Sequence, residues 1–118
     1  MEAELRSLAT QDGEFLTNIR PDEGAFRIAV RAEIGPKGSR GADLFDFEVC
    51  SPSWLDAELD RNSPLPGGTR LFMRGFNAHA IEEYVHKRLR HATGATWNDV
   101  ARKIGKWAQW EFSDSENY

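Results

Sequence analysis

From Phe26 to Ile34 apolar residues recur at every second position: Phe26, Ile28, Val30, Ala32 and Ile34, with Arg27, Ala29, Arg31 and Glu33 between them. A period of two predicts a strand with one face in a core and the other in water. Leu44 to Cys50 repeats the pattern, with Phe45, Phe47 and Val49 on one side and Asp46 and Glu48 on the other. The intervening Gly35-Pro36-Lys37-Gly38-Ser39-Arg40-Gly41 is rich in turn formers, so the two strands are expected to pair as a hairpin. Arg70 to Phe76 reads as a third strand. Glu2 to Leu8 reads as a fourth, with Ala3 and either Leu5 or Leu8 inward.

The second half of the chain changes period. Ser51-Pro52 places a capping hydroxyl before a proline at the first helical position, and Trp54, Leu55 and Leu59 then share one side of a short helix. Asn77 caps a longer helix over 78–92, closed near Gly94, whose apolar stripe is Ile81, Tyr84, Val85, Leu89 and Ala92. A third helix starts at the cap Thr96 and carries Trp97, Val100, Ala101 and Ile104 before Gly105 and Trp107. Strands first and helices later predict an α+β fold: a mostly antiparallel sheet of about four strands, covered on one face by two to three helices.

With 118 residues the chain is expected to form a single domain, 1–118, and the one short turn-rich stretch, 62–68, is no interdomain linker. At 40% hydrophobic and 29% charged it has enough apolar material for a core and is not read as disordered. No apolar run is long enough for a membrane span, and Met1-Glu2-Ala3-Glu4 lacks the layout of a secretion signal. The lone Cys50 excludes an intramolecular disulfide, and a cytoplasmic location is expected. Net charge is -4, with a pI near 5.4, which favours a basic partner over nucleic acid or an anionic membrane. The charge is uneven: residues 1–60 carry 6 Lys/Arg against 13 Asp/Glu, and residues 61–118 carry 9 against 6.

Candidate chemistry is sparse. Cys50 ends an apolar strand and reads as a packed thiol rather than a nucleophile. His79, His86 and His91 lack the i, i+4 spacing of a chelating pair and read as solvent-facing. The glycine-rich stretches lack the lysine and hydroxyl of a phosphate loop. Asp46 and Glu48 share one face of a strand and Glu82-Glu83 one helix turn, pairs that any acidic surface supplies, and no apolar setting is evident around Asp46 and Glu48 to split their pKa values. Lys87-Arg88-x-Arg90-His91 has no interleaved aromatics for base stacking and reads as the polar back of a helix. No catalytic residue, metal site or cofactor is therefore expected. A small hydrolase using His79 or His86 with a carboxylate, and a regulatory or scaffold module that binds a cellular protein, are the competing readings. Trp54, Trp97, Trp107 and Trp110 are many for this length; core placement is expected for Trp54 and Trp97, while Trp107 or Trp110 could serve as a partly exposed anchor.

Ile34-Gly35-Pro36-Lys37-Gly38, Phe45-Asp46-Phe47-x-Val49-Cys50-Ser51-Pro52-Ser53-Trp54-Leu55, Thr96-Trp97-Asn98-Asp99-Val100-Ala101 and Trp110-Glu111-Phe112-x-Asp114 together resemble the immunity protein 8 family of bacterial polymorphic toxin systems. The resemblance runs from about residue 2 to residue 114, and the chain departs from the family's ending at Ser113 and in Ser115-Glu116-Asn117-Tyr118. It implies an intracellular bacterial antitoxin, not an enzyme, that binds and neutralises a cognate toxin C-terminal domain. A basic toxin would be met by Asp46 and Glu48 from the wet strand face and by Asp56 and Asp60 from the short helix. Cys50, Pro52, Trp54, Leu55, Trp97, Trp110 and Phe112 are expected to be structural, with Trp54 and Leu55 turned inward and Trp110-Glu111-Phe112 locking the C-terminus.

Overall fold

The computed structural model describes residues 1–21 and 24–113. The elements run β1 (Ala3–Thr10), a 3-10 turn (Leu16–Asn18), β2 (Arg27–Pro36), β3 (Asp43–Cys50), α1 (Pro52–Arg61), β4 (Arg70–Phe72), α2 (Ala78–Arg90), α3 (Trp97–Ile104) and β5 (Gln109–Trp110). This is an α+β arrangement around one mostly antiparallel sheet. Its order is β1-β2-β3-β4, and β5 also pairs with β3.

β2 and β3 form the expected hairpin, with Val30 opposite Phe47, Ala32 opposite Phe45 and Arg31 opposite Asp46. Gly35 sits where the turn folds back, and a Cβ there would lie 2.0 Å from the Gly41 carbonyl oxygen, so only glycine fits. β1 pairs antiparallel with β2 through a bulge between Leu5 and Ser7. The extra residue resets the two-residue alternation, so Leu5 opposite Ile34 and Leu8 opposite Ala32 both face the core. The expected choice between them was unnecessary.

β3 shares its second edge between two short strands: β5 runs antiparallel beside Phe45 and Asp46, and β4 runs parallel beside Glu48, Val49 and Cys50. The third strand was expected to reach Phe76 but stops at Phe72. Its partner β3 ends at Cys50, whose carbonyl accepts from Met73 N–H, and beyond that point there is no ladder to join.

All three helix starts follow the predicted caps. Ser51 Oγ accepts from Trp54 N–H, Asn77 Oδ1 from Ala80 N–H, and Thr96 and Asp99 form a reciprocal capping box. α2 buries Ile81, Val85 and Leu89, and α3 buries Val100, Ala101 and Ile104, against the core face of the sheet formed by Val30, Ala32, Ile34, Phe45, Phe47 and Val49. α1 differs from expectation. It buries no residue; Trp54 and Leu55 are only half-buried and Leu59 is exposed. Among the described residues no helix is long and apolar enough to cross a membrane.

Two aromatic stacks tie the second half of the chain to β3. Phe45 stacks on Trp110 with ring centroids 6.4 Å apart and meets Trp97 edge-on at 6.5 Å. Trp107 stands between Phe47 and Tyr84, edge-on to each. Asp43 Oδ2 completes this corner by accepting from both Trp97 Nε1–H, at 2.7 Å, and Trp110 Nε1–H, at 2.9 Å.

Candidate functional site

Alternation along β2 and β3 sends Arg27, Arg31 and Glu33, and Asp46 and Glu48, to the face of the sheet opposite the core. β4 adds Arg70, opposite Glu48, and Phe72, opposite Cys50. Three arginines and three acids share this surface, and two of the acids, Asp46 and Glu48, hold all three arginines. Arg31 and Asp46, directly opposite across the hairpin, form a bidentate pair with both contacts at 2.9 Å. That hydrogen bond is the main reason the Arg31 guanidinium is held above its ordinary pKa, with the Asp46 and Glu111 charges adding to it against desolvation. Glu48 takes Arg27 at 2.5 Å on one oxygen and Arg70 at 3.0 Å on the other.

The expected acidic strand face is thus an ion network of three arginines on two carboxylates, with the exposed Glu33 on the same face. Sequence alternation places Asp46 and Glu48 on the wet side, as expected, but each already has a cationic partner. Their own charges are largely spent, because pairs this close neutralise one another before a partner arrives. Asp56 and Asp60 are different: both are exposed on α1, one helical turn apart, and neither has an ionic partner among the described residues. Glu58, between them, pairs with Arg61.

Arg70 connects the strand acids to the helix. Its side chain is 16% exposed, and besides Glu48 it reaches the carbonyls of Pro66 and Gly67, while its guanidinium lies over the Trp54 ring at 5.5 Å. Trp54 is therefore an outer-face residue packed on a cation, which explains why it is not in the core. Ser51, next to it, is buried and its Oγ also accepts from Phe26 N–H, so the start of α1 is pinned to the start of β2.

The other expected structural residues are placed as follows. Cys50 is fully buried, and burial first, then the nearby Glu48 carboxylate, push its thiol up to about 11 against the opposing pull of Arg70 and Arg27. It stays protonated at neutral pH. Pro52 opens α1. Trp97 is half-buried, and Trp110 is only 5% exposed. Phe112, expected to lock the C-terminus, is instead 45% exposed, touching Trp110 edge-on. The locking contact in that segment comes from Glu111, whose backbone N–H donates to the Leu44 carbonyl and whose carboxylate accepts from Leu44 N–H. Asp114 and the 115–118 tail lie outside the described residues.

His79 and His86 pair with Glu83 and Glu82 at 3.0 and 3.6 Å along the solvent side of α2. These are exposed pairs one helical turn apart on a single helix, the spacing of ordinary helix-surface pairs. Among the described residues no group of three His, Cys, Asp or Glu is placed to hold a metal ion.

Sequence reasoning missed Asp43 and the arginine partners. Asp43 lies 54 and 67 positions from the two indoles it joins, so no local pattern marks it. Arg31 could have been paired with Asp46 from the hairpin register alone.

Comparison with known proteins places the chain in a family. The chain belongs to the family described as Immunity protein 8, whose sequence pattern matches residues 3–115, nearly its whole length. No curated protein and no solved structure matches it.

Proposed function

Given membership in the immunity protein 8 family, we propose that this chain neutralises a cognate polymorphic toxin domain in the bacterial cytoplasm, by binding it directly and covering its active cleft or an adjoining surface. The observation that carries the reading is the sheet's outer face, which presents an aligned ion network and the exposed Phe72 and is joined through Arg70 and Trp54 to α1, a helix with two exposed acids that have no ionic partner among the described residues. Rigid, already paired side chains lose little entropy when a partner docks, and an aromatic set among them supplies an anchor.

Electrostatics select a basic toxin surface. Residues 43–60 hold six Asp/Glu and no Lys or Arg, and with Asp46 and Glu48 paired to arginines the outward negative charge comes from Asp56 and Asp60 on α1 and from Glu33 on the sheet face. Opposite potentials speed encounter and disfavour wrong partners. Binding, not turnover, then provides immunity: the four acids Asp46, Glu48, Asp56 and Asp60 contribute as contacts, the first two through the arginines they orient.

The test is co-expression with the C-terminal toxin domain of the neighbouring gene, scoring growth and then co-purification. Rescue with a stable complex is expected. Rescue without a complex would point to modification of the toxin or its target, and absence of rescue would favour a regulatory module.

A further inference from the structure

α2 and α3 end side by side around a cleft of about 320 Å³, on the helical side of the molecule and lined by Arg88, His91, Ala92, Lys103, Lys106 and Trp107. Four of these six side chains are cationic or protonatable and none is acidic. Arg88 and Lys103 lie in the last turns of α2 and α3, where any cation is favoured by the helix dipole. The same effect favours a protonated His91 at the cap of α2, and Lys106, just beyond the end of α3, opens onto the same space, so the two helix ends gather four cationic or protonatable groups around one cleft. The Lys103 ammonium donates to the Thr93 carbonyl, which fixes its position, and Trp107 is held edge-on by Phe47 and Tyr84 while also lining the cleft.

We propose that this cleft binds the phosphate group of a small phosphorylated molecule, whose remaining part lies against Trp107. A phosphate offers three oxygens to the donors that line the cleft from two helices, one of them the guanidinium fork of Arg88, and so can engage more of them at once than the two oxygens of a carboxylate. A small ligand fits better than a polyanion. The cleft is at the low end of ligand-pocket volumes, roughly 300–1,000 Å³. The chain's net charge of -4, with Glu82 and Glu83 exposed farther back on α2, would repel a longer anion running beyond the cleft.

The experiment uses the full chain, isotopically labelled for NMR and titrated with AMP and with inorganic phosphate. Adenosine serves as the neutral control, and an RNA hexamer and hexaglutamate as polyanions. Saturable shifts are expected at the amides of His91, Lys103 and Lys106 and at Trp107 Nε1–H for AMP and phosphate, with adenosine weaker by about tenfold or more. The Arg88→Gln/Lys106→Gln pair should lose about tenfold in AMP affinity with the fold retained, since both side chains are exposed and only the dipole contribution of Arg88 is lost; Lys106→Gln alone is the second variant if the pair fails to fold. No saturation with AMP or phosphate, shifts that persist in the variants, or tighter binding of the RNA or of hexaglutamate than of AMP would each overturn the proposal.

Discussion

The Arg70 guanidinium stands over the indole of Trp54, 5.5 Å from the ring centroid, while its Nε–H donates to Glu48 at 3.0 Å. One side chain thereby ties β4, β3, α1 and the carbonyls of Pro66 and Gly67 into a single surface. Lysine can keep the charge but not the fork, so Arg70→Lys should cost about 1–3 kcal/mol and Arg70→Ala no less. Urea unfolding measures the loss, and a shift in Trp54 emission at unchanged secondary structure would localise it. Equal stability of all three proteins would show that the network is ornamental.

Asp43 presents one oxygen to two indoles from different elements. Removing it strands two part-buried N–H donors, at about 1–3 kcal/mol each where water cannot replace the carboxylate. Asp43→Ala should therefore be among the most damaging polar substitutions in the chain, and Asp43→Asn milder because its amide oxygen still accepts. Denaturation midpoints of the two variants give the comparison, and an Asp43→Ala protein as stable as wild type would contradict it.

Trp110 and Phe112 are neighbours in contact but unequal in burial. Trp110→Ala should cost about 3–5 kcal/mol, as expected for a large buried ring. Phe112→Ala, losing an exposed ring with one edge contact, should cost about 1 kcal/mol or less. Similar losses for both would mean that the tail, not the Phe45 stack, holds the C-terminus.

Cys50 makes stability pH-dependent in one direction. Its folded pKa, about 11, lies above the ordinary thiol value, so the unfolded chain releases its proton first. The unfolded state then binds fewer protons, and stability falls as pH rises through the window from the unfolded value to about 11, with the contribution intact below it. Comparing wild type with Cys50→Ala over that window isolates the effect from lysine titration. At pH 8 the thiol should react with iodoacetamide far more slowly in the native than in the urea-unfolded chain, and equal rates would contradict the burial.

How much of this was legible follows from where each partner lies. The β2–β3 hairpin and all three helix caps are local, written within a few residues of each other, and alternation and capping found them. Leu5 and Leu8 defeated a strict period of two because the bulge near Arg6 inserts one residue. β5 is two residues long and exists only because β3 leaves an edge free beside Phe45. Trp54 looked like core because helical spacing cannot distinguish an apolar floor from a guanidinium. The wet-face acids were found, but their neutralisation was not, since Arg70 reaches Glu48 only through the parallel pairing of β4.

The central claim is that the outer sheet face with α1 is the surface the toxin covers, and the sharpest measurement is toxin affinity of Asp56→Lys/Asp60→Lys at low and high salt. Both side chains are exposed and without ionic partners among the described residues, so the fold should hold at unchanged Tm. Binding should weaken by about tenfold or more at low salt, and by less at high salt where exposed charges are screened. Wild-type affinity at both salt concentrations would place the toxin elsewhere on the molecule.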